Sequence, residues 1–205
     1  GGANGQYFLH LWDGELPTWM GGTSTKFDYD ARVYCSNDGK NIGLSFSDNQ
    51  KALYTTSDFI DKYRDAEMVV IGIGEEWNAY LEKQEYQDLL AFYAPYLEKK
   101  NYFCITSSKK NDFSWGSLNP KRVVQPLLLE AEQITSEKKE EVEKQWDLYN
   151  KWLSATLNKK LMLIELGEGF LIPNLIRWPF EKVTFINQKS VLYRINGQLP
   201  QLPRQ

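Results

Sequence analysis

Leu161-Met162-Leu163-Ile164-Glu165-Leu166 is an apolar run that breaks at Gly167-Glu168-Gly169. The chain then passes Pro173 into a helix-like segment. It reaches a second apolar run, Val191-Leu192-Tyr193-Arg194-Ile195, closed by Asn196-Gly197. Two short apolar runs joined by about twenty residues make a β–crossover–β unit, the connection that parallel strands need. Strands apolar on both faces belong in a buried α/β sheet. The Gly-Glu-Gly turn then falls at the carboxyl end of its strand, where open α/β sheets hold ligands.

Working outward, Met68-Val69-Val70-Ile71 is β-branched and continuous, a second buried parallel strand. It ends in Gly72-Ile73-Gly74-Glu75-Glu76. A Gly-x-Gly turn after a strand lets backbone N–H groups approach a phosphate. It serves equally as a plain strand-to-helix turn, and Glu75 and Glu76 would repel a pyrophosphate unless they point outward. Residues 85–99 have helical period, with Leu89, Leu90, Phe92, Tyr93 and Tyr96 on one apolar face and Pro95 as a kink. Asn101 to Thr106 is the next buried strand, and Val123-Val124 is strand-like. A helix over about 135–158 buries Val142, Trp146, Tyr149, Leu153 and Leu157 along one stripe.

Residues 6–55 are β-rich. Residues 6–12 form a candidate strand, and Pro17 and Gly21-Gly22 mark loops. The runs 29–36 and 41–47 flank Asp38-Gly39, a hairpin signal. Ser57 and Asp58 can cap a short helix ending near Arg64. The expected fold is α/β and Rossmann-like: a mostly parallel sheet with flanking helices plus a β-rich N-terminal section. Its divisions are a section over 1–56, the Rossmann-like domain over 57–197 and a loose tail over 198–205.

Leu163 to Phe170, Pro173, Ile176-Arg177-Trp178-Pro179-Phe180-Glu181 and Tyr193-Arg194-Ile195-Asn196 together resemble the end of the sirtuin NAD-binding domain. The likeness is greatest to the divergent bacterial branch found linked to macrodomains. It weakens over 68–125 and is absent before about Ser57. It implies NAD or ADP-ribose as ligand. It implies nucleotide contacts at Gly167, Glu168, Gly169 and Asn196, and at Gly72, Gly74, Glu75, Thr106 and Ser108 around the other strand ends.

The same resemblance implies lost machinery. Sirtuins end the strand matching 101–106 in Ile-Thr-x-Asn-x-Asp, whose Asn and Asp serve the nicotinamide ribose. Here Ser108 stands in the Asn position and Lys110 in the Asp position, so Asn111 and Asp112 could substitute only in a slipped loop. The catalytic His, a Gln in the divergent branch, is matched by Gln125, followed here by Pro126. The zinc ribbon of ordinary sirtuins needs four cysteines, and this chain has two, Cys35 and Cys104, with His10 as its single histidine. No metal site is therefore expected. Cys104, in an apolar strand, reads as buried and inert. General bases work best with a pKa near ambient pH, but His10 precedes the whole nucleotide fold and reads as packed or surface.

The net charge of −3 with scattered basic residues argues against a nucleic-acid surface. No run of 18 apolar residues could span a membrane. Two cysteines and no framework make a reducing cytoplasm the default. The chain opens Gly1-Gly2 without Met, as a processed end would.

Three functions stay open. The first is a degenerate sirtuin-like module with a remnant NAD or ADP-ribose cleft and no deacylase activity. The second is a live ADP-ribosyltransferase or NAD hydrolase using Asn111, Asp112 or Gln125. The third is an interaction module whose cleft is filled by its own side chains. Glu75, Glu76 and Glu168 read most simply as exposed loop charges. Brought together with Glu165, they could instead form paired carboxylates for acid–base chemistry. Trp77 and Trp115 are the tryptophans best placed to line a pocket.

Overall fold

The computed structural model describes residues 31–35, 41–46, 61–75 and 84–195, the first two stretches as backbone only. The expected strand over 6–12, the turns at Pro17, Gly21-Gly22 and Asp38-Gly39, His10, the Ser57-Asp58 cap, Glu76, Trp77, Asn196 and the tail lie outside the described residues.

The described elements run in chain order as β1 (Ala31–Cys35), β2 (Asn41–Phe46), β3 (Met68–Ile73), α1 (Gln84–Leu97), β4 (Asn101–Thr106), β5 (Val123–Val124), α2 (Ser136–Ser154), β6 (Leu161–Leu166), α3 (Arg177–Ile186) and β7 (Val191–Ile195). Two 3-10 turns, Pro120–Arg122 and Pro126–Glu130, bracket β5. Among the described residues the sheet has seven strands in the order β1-β2-β7-β6-β3-β4-β5. Among these described strands, β1 is antiparallel to β2 and the other pairings are parallel. Counted from β3, the order β5-β4-β3-β6-β7 is 3-2-1-4-5, that of a Rossmann sheet. The chain is thus an α/β protein with a Rossmann-like, mostly parallel sheet.

The order has one consequence for function. From β3 the chain winds one way through β4 to β5, then returns and winds the other way through β6 to β7. The reversal lies between β3 and β6, which are hydrogen-bonded neighbours with Met68 opposite Leu161 and Ile73 opposite Leu166. The corners after these strands therefore share the switch-point crevice where such sheets place ligands.

Burial explains why these runs became central strands. Every residue of β3 and β6 is buried. Met68, Val70, Phe103, Ile105, Leu161, Leu163 and Leu192 join Tyr149 and Trp152 of α2 and Ile176 and Phe180 at α3 in one cluster. The alternate residues Val69, Ile71, Tyr102, Cys104, Met162, Ile164 and Tyr193 are buried too, as a sheet covered on both faces requires. Burying each such apolar side chain contributes about 1.5–3 kcal/mol. Burial also pushes the Cys104 thiol up, which keeps it inert.

The helices differ from expectation at their ends. Thr135 caps α2, its hydroxyl accepting from the Lys138 N–H at 3.2 Å. The helix stops at Ser154, so Leu157 falls on turns beyond it and is exposed rather than part of the buried stripe. Trp152 takes that place, its indole N–H donating to Asn101 Oδ1 at 2.7 Å while its ring packs on Phe103. In α1, Leu90 and Tyr93 are buried as expected, but Tyr96 is exposed and Leu97 turns inward instead. The helix continues through Pro95. Among the described residues, no helix is long and apolar enough to cross a membrane.

Candidate functional site

Two glycines bring the corners into contact, and packing dictates both. At Gly72 a Cβ would lie 2.5 Å from Ile176 Cγ2 and 3.0 Å from the Phe180 ring, so the glycine admits the entry to α3. At Gly74 a Cβ would lie 2.5 Å from the Glu168 amide nitrogen and closer still to the Gly167 carbonyl oxygen. The Gly74 N–H donates to the Leu166 carbonyl at 2.7 Å. Backbone thus lies on backbone at the switch point. Gly167, at φ 60°, makes the sharp turn that permits it.

Around this contact three carboxyl-bearing or hydroxyl-bearing loops converge, one from each of three adjacent strands. Glu168, after β6, is fully buried. Its Oε2 accepts from the Ser107 hydroxyl, after β4, at 2.8 Å. The same hydroxyl lies 3.3 Å from Oε2 of Glu75, after β3. Glu75 Oε1 in turn accepts the Gly169 N–H at 3.1 Å. Desolvation, with the Glu75 charge adding to it, pushes the Glu168 carboxyl up to about 9, against the opposing Ser107 hydrogen bond. Glu168 is therefore not an exposed loop charge: the approach of the β3 corner closes over it.

A second buried polar group lies one layer below. Glu165 of β6 and Arg194 of β7 sit opposite each other in register, and both side chains are fully buried. Arg194 donates to both Glu165 oxygens, through Nε to Oε2 and through Nη2 to Oε1 at 3.0 Å. Its Nη1 meets Glu181 Oε1 of α3 at 2.8 Å. Burial pushes the Glu165 carboxyl up while the Arg194 guanidinium pulls it down. Arg177, the first residue of α3, donates from Nη1 to the Glu168 carbonyl at 3.1 Å and covers the Phe170 ring at 4.1 Å. The ion cluster thus fastens α3 to β6 and β7 and supports the corner that carries Glu168.

The remaining candidates divide between the crevice and the surface. Thr106 donates its hydroxyl to the Ile73 carbonyl at 2.8 Å and accepts the Ser108 N–H at 3.1 Å. Ser108 is buried and its hydroxyl accepts the Lys110 N–H at 3.2 Å. Gln125 is buried and clips this loop, its amide N–H groups donating to the Ser108 carbonyl at 2.9 Å and the Lys110 carbonyl at 2.7 Å. Asn111 and Asp112 stand exposed on the turn that follows, outside the hydrogen-bonded group. Trp115 is half-buried and packs edge-on against Phe113, with ring centres 4.7 Å apart. Asn196 is outside the described residues.

Sequence reasoning missed Ser107 as the bridge and missed the Glu165–Arg194–Glu181 cluster. The second left a signal: Glu165 and Arg194 are single charges inside apolar strands, and a buried charge needs a partner. Among the described residues no group of three or more His, Cys, Asp or Glu could hold a metal ion.

The site is thus the switch point of a Rossmann-like sheet, where the Ser107 hydroxyl lies between the Glu168 and Glu75 carboxyl groups. No protein-family model matches this chain, and no curated protein does.

Proposed function

We propose that this chain is a degenerate sirtuin-like module without deacylase activity, in which the NAD or ADP-ribose crevice persists in outline and is filled by its own side chains. One observation carries this: the polar groups that would receive a nucleotide are engaged with one another. The Gly74 N–H is bonded to Leu166, the Gly169 N–H to Glu75, and Thr106 and Ser107 to groups across the corners. Phosphate cradles work through free backbone N–H groups at a strand-to-helix corner, and here a carboxylate already accepts one of them. A second negative charge brought beside Glu75 would be repelled.

The residues that would make it a live enzyme are poorly placed for that role. Gln125 spends its amide N–H groups on loop carbonyls, which is a positioning task. Asn111 and Asp112 face solvent. The experiment is calorimetric titration of the whole chain at pH 7 with NAD and with ADP-ribose, alongside an assay for nicotinamide release. Expected are no binding at submillimolar ligand and no release. Submillimolar binding by the native chain would overturn the filled crevice. Release that is lost on Asn111→Ala, Asp112→Ala or Gln125→Ala would establish the enzyme.

A further inference from the structure

The filling is held by hydrogen bonds that depend on a proton, and this makes it conditional. Glu168 and Glu75 approach the Ser107 hydroxyl from two different corners, at 2.8 and 3.3 Å. A hydroxyl has one proton to donate, so it cannot satisfy two carboxylates at once. The Glu75 charge, added to burial, disfavours an ionised Glu168, because neighbouring carboxylates do not both ionise readily.

We propose that Glu168, Glu75 and Ser107 form a protonation-dependent latch that holds the corners after β3, β4 and β6 shut and releases them when Glu168 ionises. The charged groups facing Glu168 set the direction. Glu75 from the β3 corner and Glu165 from β6 both oppose a negative Glu168. Arg177 of α3 donates to the Glu168 carbonyl, and Arg194 of β7 is held by Glu165 and Glu181. An ionised Glu168 therefore sits buried between two carboxylates, and its escape to water relieves both. The escape breaks the Ser107 bridge and frees Gly169 and Ser107 for another acceptor. The raised carboxyl of Glu168, at about 9, keeps the latch shut at neutral pH. The latch itself needs no ligand; that the opened crevice takes ADP-ribose rests on the proposed function above.

Hydrogen exchange followed by mass spectrometry tests it on the whole chain from pH 6 to pH 10, corrected for the intrinsic pH dependence of exchange. Peptides covering 72–75, 105–109 and 166–170 should lose protection at least tenfold between pH 7 and pH 10, while 161–164 keeps its protection. Glu168→Gln cannot ionise and should stay protected throughout; Glu75→Gln, a second variant in case the first misfolds, removes a charge that holds Glu168 up, so the loss should be smaller and level off at lower pH. Glu168→Ala should be unprotected already at pH 7. Protection in the native chain that does not change with pH, or that changes identically in Glu168→Gln, would overturn the latch. Titration of Glu168→Ala with ADP-ribose at pH 7 separates the two proposals. Binding at least tenfold tighter than to the native chain supports both, whereas pH-dependent opening without binding leaves the latch standing and removes the nucleotide reading.

Discussion

Replacing Arg194 by Met should be among the most damaging single changes to this fold, and its cost should depend on pH. The side chain is fully buried, holds both Glu165 oxygens and reaches Glu181. Met matches much of its length, so packing loss is small, and what remains is a carboxylate stranded in the sheet. Breaking a buried pair by removing one partner costs about 3–5 kcal/mol, because the other charge is left uncompensated. For a chain of this size that lowers Tm by roughly 6–20 °C, at about 2–4 °C per kcal/mol. The stranded Glu165 can reduce the cost by taking up a proton, since burial already pushes it up. Its folded-state affinity for the proton then exceeds the unfolded one, so the variant's stability falls as pH rises above the ordinary carboxylate range, by at most about 1.4 kcal/mol per unit. Adding Glu165→Gln to Arg194→Met should recover most of the loss, because the double variant buries no ion at that pair. Urea unfolding of native, single and double variants at pH 5.5 and pH 8 measures the coupling directly. A single-variant cost below about 1 kcal/mol, or a double variant no more stable than Arg194→Met, would show that the pair does not hold β6, β7 and α3 together.

Two further outcomes follow from the switch point. Gly74→Ala should destabilise by about 1–3 kcal/mol, the cost of an overpacked site, since the new methyl meets the Gly167 and Glu168 backbone, which cannot rotate away as a side chain can; native-like urea unfolding would contradict the close approach. Native stability should also decline with rising pH between the unfolded carboxyl value of 4.5 and the folded value of about 9 for Glu168. In that window the folded state holds a proton that the unfolded state has lost, so the slope is negative and reaches at most about 1.4 kcal/mol per unit. Glu168→Gln should flatten that part of the curve when unfolding is compared at pH 6 and pH 8; an unchanged slope would place the proton elsewhere.

The strands were legible because continuous β-branched and apolar runs such as Val69-Val70-Ile71 and Leu161 to Ile164 have no comfortable place except a sheet covered on both faces. Their adjacency followed from chain order, since a right-handed crossover through α2 returns the chain to the free side of β3. The site was legible only as a location. Gly-Glu-Gly looks like a solvated turn, and nothing local says that a second glycine corner will lie on it; that depends on the register that sets Gly72 beside Glu165. The same register turns two isolated charges, Glu165 and Arg194, into one ion pair. Misplaced Leu157 and Tyr96 have a simpler cause: helical period says which residues share a stripe, but not where the helix stops or which part of the stripe meets the sheet. A switch point is the interior of three converging corners, so it must be filled by a ligand, by water or by the protein itself. In this sheet a buried carboxyl stands between two glycines at that point, and the proposed reading follows from its bond to the Ser107 hydroxyl of the neighbouring corner, which gives the space to the protein's own side chains.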